Sequence, residues 1–152
     1  MGTRHSRLAA ALAAAWEAEV VSAKTLTTIA ETCGDVRLKA RLLVLAAFCR
    51  AHASRLLARL SAMGRGPLPV PPDEIEIDPD LRQALQEEAI SARSSAARYE
   101  EMAETARMQA DYSSAWVCEL NRAEEEDRAA ELTKLAEGAL PAEDTASLGA
   151  TL

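Results

Sequence analysis

Cys49 and His52 stand three residues apart inside a leucine stripe, Leu42, Leu45, Cys49, His52, Leu56, whose spacings alternate between 3 and 4. Far downstream, Val117, Leu120, Glu124 and Asp127 repeat that alternation, so a second polar pair takes the same place in a second stripe. Glu19 falls between Trp16 and Leu26 in a third stripe, 30 residues before Cys49. A thiol, an imidazole and three carboxylates on apolar stripes carry a desolvation penalty unless they are paired or hold a metal ion. Residues three apart on a helix point the same way, which is how the facing helices of a bundle hold an ion between them. Plainer roles are available to each. Cys49 reads as a small core residue, and His52 as a histidine satisfied by a hydrogen bond. Glu124 opens the run Glu124-Glu125-Glu126-Asp127, and charge runs are usually solvated faces. Glu19 has the option of pairing with an arginine on a neighbouring helix. Other chemistries find no footing: there is no glycine-rich phosphate loop and no Cys-x-x-Cys pair, and His5 and His52 are the only histidines.

The elements that must position these residues follow from composition and punctuation. Of 152 residues, 33 are alanine and only 3% are aromatic, which suits close-packed helices better than a sheet. A net charge of −7 argues against a nucleic-acid partner. No apolar run approaches the ~18 residues of a membrane span. Cys33, Cys49 and Cys118 are odd in number and lie in apolar stretches, which suggests free thiols and a cytoplasmic setting. Arg4 to Ala15 reads as the start of a helix rather than a signal peptide, because it leads straight into Trp16-Glu17-Ala18-Glu19.

Five of the six prolines lie between Pro67 and Pro79, and residues 3–33, 35–63 and 80–137 contain neither glycine nor proline. An unbroken helix over the third stretch would be ~87 Å long, so it is expected to break near Ala110-Asp111-Tyr112-Ser113-Ser114. Four helices result, roughly 6–33, 36–63, 79–109 and 113–137. Asp35 caps the second, Asp78 with Pro79 opens the third, and Asp111 or Ser113 caps the fourth. The 61–78 link is long enough to cross the whole bundle, so two helical hairpins are joined by a crossover. The bundle is expected to occupy 1–137, with a flexible tail over 138–152. Overlaying the hairpins at an offset of 75 places Leu42 on Val117, Cys49 on Glu124 and His52 on Asp127.

Over roughly 8–137 the chain resembles the ferritin-like superfamily, and within it the rubrerythrin-type bundles. Glu19 followed 30 residues later by Cys49-Arg50-Ala51-His52-Ala53 looks like the family's helix-1 glutamate and helix-2 Glu-x-x-His, with cysteine for glutamate. Tyr99-Glu100-Glu101-Met102-Ala103 looks like the middle of its third helix. Ala123-Glu124-Glu125-Glu126-Asp127 looks like its fourth-helix motif, with aspartate for histidine. The third-helix glutamate should fall near Ser91 or Ser94, both serine, while Glu88 lies about one turn away. The resemblance implies an all-α bundle whose relatives hold two metal ions, usually iron, for peroxide reduction, ferroxidation or related oxygen chemistry. Here it implies a depleted ligand set of Glu19, His52, Glu124, Asp127 and Cys49. That set suits no metal or a single iron or zinc ion; a full di-iron centre is not expected. Two roles compete: a bundle acting through protein contacts, as a homodimer or with a partner along a helix face, and a one-ion metalloprotein with oxidase or peroxidase chemistry. Neither involves nucleic acid or membrane.

Overall fold

The computed structural model describes residues 2–66 and 68–138, with side chains from Arg7 onward. The four helices are α1 (Gly2–Thr32), α2 (Val36–Ala62), α3 (Leu81–Met108) and α4 (Tyr112–Gly138), and no strand occurs among the described residues. The expected tail, from residue 139 on, lies outside them. No helix among the described residues is long and apolar enough to cross a membrane.

The caps follow the aspartates. Asp35 Oδ1 accepts from the amides of Arg37 and Leu38, and Asp111 Oδ1 accepts from that of Ser114. At the third helix the cap is Asp80, whose carboxylate accepts from the Arg82 amide. Asp78 instead accepts from the Asp80 amide and closes a turn one step earlier. The helix therefore begins at Leu81 rather than 79, since of two aspartates flanking a proline the second lies nearer the free amides.

α1 and α2 form one hairpin and α3 and α4 the other; across the bundle α1 packs on α3 and α2 on α4. Arg41, Arg55 and Arg59 of α2 pair with Glu131, Glu124 and Asp111, a descending order that makes α2 and α4 antiparallel. Between the helices the 63–80 crossover runs the length of the bundle. Leu68 packs on the apolar block around Leu8, Leu12, Leu56 and Leu60, and Ile77 on the block around Leu26, Leu42, Leu85 and Leu132. Midway, Lys24 Nζ donates to the Pro72 carbonyl at 3.0 Å. The two blocks are separated by a layer of buried polar side chains.

The second tight turn carries strain. Ala110 has φ of 58°, a left-handed conformation that favours glycine. Ala110→Gly is expected to stabilise the fold by about 0.5–1 kcal/mol. A denaturant melt with an unchanged or lowered midpoint would contradict this.

Candidate metal centre

Each helix delivers polar groups to the layer. Glu19 comes from α1; His52 and Cys49 from α2; Glu88, Ser95 and Tyr99 from α3; Asn121, Glu125 and Arg128 from α4; all are buried. His52 is the hub. Its Nδ1 lies 3.2 Å from Glu19 Oε2 and 3.2 Å from Glu125 Oε1. On the far side of the ring, Nε2 is 3.4 Å from Glu124 Oε1, without hydrogen-bond geometry. The Tyr99 hydroxyl donates to Glu19 Oε1 at 2.9 Å. Arg128 Nε donates to Glu125 Oε2 at 2.7 Å, and its Nη1 to Glu88 Oε2 at 3.2 Å. Asn121 Nδ2 donates to the His52 carbonyl at 3.4 Å, tying α4 to α2 beside the hub.

The protons distribute accordingly. Burial pushes the Glu19 carboxyl up to about 7, a rise that its bond to His52 only partly offsets and that facing Glu125 reinforces. Burial acts on Glu125 in the same direction, but bonds from His52 and Glu19 and the Arg128 charge outweigh it and hold Glu125 at about 2. For His52, burial favours the neutral ring, yet bonds to Glu125 and Glu19 prevail and lift it to about 9. Without metal at neutral pH, His52 is therefore a cation between an ionised Glu125 and a Glu19 that is itself near its midpoint. Burial raises the Cys49 thiol far above the ordinary range, and Arg128 only partly counters it. That thiol is an inert core group at neutral pH.

Glu19, His52 and Glu125 each offer one ligand atom, and the three atoms lie within 4.8 Å of one another. An ion with bonds of ~2.1 Å keeps neighbouring ligand atoms ~3.0–3.4 Å apart, so the two 3.2 Å separations at Nδ1 fit. One imidazole and two carboxylates are donors suited to iron or zinc.

The structure brings Glu19 and His52 together as the stripes anticipate, but their third partner is Glu125. Glu124 is only partly buried and turns to Arg55. Asp127 is exposed. Cys49 is buried beside the layer without joining the three clustered atoms. The seam of α4 runs through Cys118, Asn121, Glu125, Arg128 and Leu132, one residue later than the stripe through Val117, Leu120, Glu124 and Asp127. The half-buried Leu120 and Leu135 draw the sequence pattern toward the wrong row, and four consecutive acidic residues cannot distinguish the rows. The caps do carry the right register: Asp35 and Asp111 are 76 apart, not 75. At that offset the third-helix counterpart of Glu19 is Ser95, rather than Ser91 or Ser94, and Ser95 is buried.

No family model matches the chain, and no curated protein matches it. Solved structures similar to it include ferritin-like, diiron-carboxylate proteins from Bacillus anthracis str. Ames, with 21% identity, a TM-score of 0.81, and 90% of this chain and 99% of that chain covered. A protein from Xanthomonas campestris pv. campestris str. ATCC 33913 is similar at 17% identity and a TM-score of 0.79, over 90% of this chain and 92% of that chain. The four-helix architecture is thus the ferritin-like fold.

Proposed function

We propose that this ferritin-like bundle binds one transition-metal ion, iron or zinc, through Glu19, His52 and Glu125. The observation that carries the reading is the convergence of these three buried ligand atoms within 4.8 Å, in a core where uncompensated carboxylates are costly. Tyr99 fixes Glu19 by donating to Oε1, which leaves Oε2 facing the imidazole. Arg128 fixes Glu125 by holding Oε2, which leaves Oε1 on the same side. Tyr99 and Arg128 thus hold the ligand carboxylates in place before any ion arrives, and such outer hydrogen bonds raise metal affinity. Iron held there would supply one-electron chemistry toward dioxygen or peroxide, the activity class of an oxidase or peroxidase. Cys49, Glu124 and Asp127 are left outside the ligand set.

A second reading, a metal-free scaffold acting as a homodimer, is favoured by the outer face of α2. Val44 and Phe48, one turn apart, are 40% and 44% exposed there.

Metal content and thermal melting separate the two. Protein purified without chelator is expected to carry one ion per chain. After chelation, zinc or ferrous iron should raise the melting temperature by several degrees, as expected for a ligand present far above its dissociation constant. Glu19→Gln, which keeps the shape and the bond to Tyr99, should abolish the rise without unfolding the protein. A metal-free preparation whose melt ignores added ions would leave the scaffold reading.

A further inference from the structure

The two hairpins are displaced copies. Val36 and Ala62, the ends of α2, become Tyr112 and Gly138 of α4, and Thr32 at the end of α1 becomes Met108 at the end of α3, a constant displacement of 76 residues. Burial follows the same displacement: Ala53 and Ala129, Leu56 and Leu132, and Ala30 and Ala106 are all buried pairs. The polar layer therefore has two equivalent halves. In the first, Glu19 and His52 face the carboxylate of Glu125. In the second, their counterparts are Ser95 and Arg128, and the counterpart of Glu125 is Cys49.

Glu125 joins the halves. One of its oxygens faces His52 Nδ1 and the other accepts from Arg128 Nε. Its carboxylate thus bridges the place of an ion on one side and a guanidinium on the other. Arg128 is 2% exposed, and its second carboxylate partner, Glu88, is the counterpart of Leu12 in the first half. Its Nη2 is buried without an acceptor, as expected of a cation placed for its charge and not fully served by hydrogen bonds.

From this we infer that the guanidinium of Arg128 permanently occupies the place of a second cation, so that the layer is a mixed pair of one metal ion and one arginine bridged by Glu125. The inference rests on the metal reading of the first half. Charge supports it. A divalent ion with Arg128 balances the three buried carboxylates of Glu19, Glu88 and Glu125, with His52 neutral. A second divalent ion beside Arg128 would be uncompensated, because Ser95 and Cys49 supply no carboxylate. The consequence is a fixed stoichiometry: one ion, at the Glu19–His52 half, with Arg128 as the residue that sets the number.

The test counts zinc ions per chain, by elemental analysis after dialysis, in the full-length protein and in two variants. Ser95→Glu/Arg128→His rebuilds the second half on the pattern of the first, and Arg128→Lys keeps a cation there. The expected result is one ion for the unaltered protein, one more in the double variant, and no increase in Arg128→Lys. Two ions in the unaltered protein, or no increment in the double variant, would overturn the inference. The increment tests Arg128, whereas the unaltered protein's own content tests the first half. A protein with no ion whose double variant gains one would sink the metal reading and retain the role of Arg128; one ion in both would do the reverse. If the double variant folds only with zinc, its loaded form is counted. If it folds under neither condition, titration of the unaltered protein decides, since a second ion bound at saturating zinc is the overturning result.

Discussion

Arg128→Met is expected to destabilise the metal-free protein by about 3–5 kcal/mol, the largest effect of any single substitution in the polar layer. Methionine fills similar space, so the loss is electrostatic rather than a cavity effect. The arginine is held by Glu125 at 2.7 Å and by Glu88 at 3.2 Å, all three residues being buried. Removing the guanidinium leaves Glu88 without its cation and Glu125 with His52 alone, in a medium that solvates carboxylates poorly. One or both must take up a proton, or the helices must part to admit water. Urea melts of chelator-treated protein at neutral pH measure the loss. Adding Glu88→Gln to Arg128→Met should recover part of it, because one stranded charge is then gone. A loss below about 1 kcal/mol would show that the pair is solvated in the native state and that α4 is rotated away from the core.

Proton–metal linkage gives the second large effect. His52 is lifted from 6.5 to about 9 in the folded protein by Glu125 and Glu19. A raised folded value means that its stabilisation is complete below about 6.5 and disappears as pH rises through about 9. Glu19, lifted from 4.5 to about 7, adds a loss in the same direction at lower pH. Glu125, held down at about 2, contributes stability above 4.5 that is lost only in strong acid. Of the other groups facing the hub, burial raises the Cys49 thiol and the Tyr99 hydroxyl far above their ordinary ranges. Arg128, despite burial, is kept charged by its carboxylate neighbours, and burial raises Glu88 against the opposing Arg128 charge. The metal-free protein should therefore lose several kcal/mol between pH 6 and pH 10, most of it from His52 and the rest from Glu19. An ion reverses the trend, since it takes the place of the protons on His52 and Glu19 and binds more tightly as they leave. The gain in melting temperature on adding zinc should grow from pH 6 to pH 8.5, and Glu19→Gln should flatten it. A metal-free melt independent of pH over that range, with an equally constant response to zinc, would refute the shared-proton account of the layer.

Much of this was readable without coordinates. The glycine- and proline-free stretches define four helices, and Asp35 and Asp111 cap two of them. The stripe of α2 is correct residue for residue: Leu42, Leu45, Cys49, His52 and Leu56 are all buried. It is legible because leucines recur at alternating spacings of 3 and 4 along that row, whereas the apolar residues off it, Leu43, Val44 and Phe48, do not extend as a row down the helix. Glu19 is legible for a related reason, as a charge on the row of Leu12, Ala23 and Leu26. Those residues determine the ferritin-like fold and one half of the polar layer. Beyond the 76-residue spacing of the caps, the rotation of α4 was decided by tertiary structure. Glu124, Glu125, Glu126 and Asp127 are interchangeable to a pattern of hydropathy, and one residue along a helix turns a side chain by ~100°. What selects Glu125 is that its neighbour one turn on, Arg128, meets Glu88 from α3 while His52 from α2 meets Glu125 itself. An arginine reads as a surface residue in any one-dimensional pattern. It becomes a core residue only where α3 brings it the carboxylate of Glu88, 40 residues away, to join that of Glu125 on its own helix, and Glu125 is itself held by His52, 73 residues away.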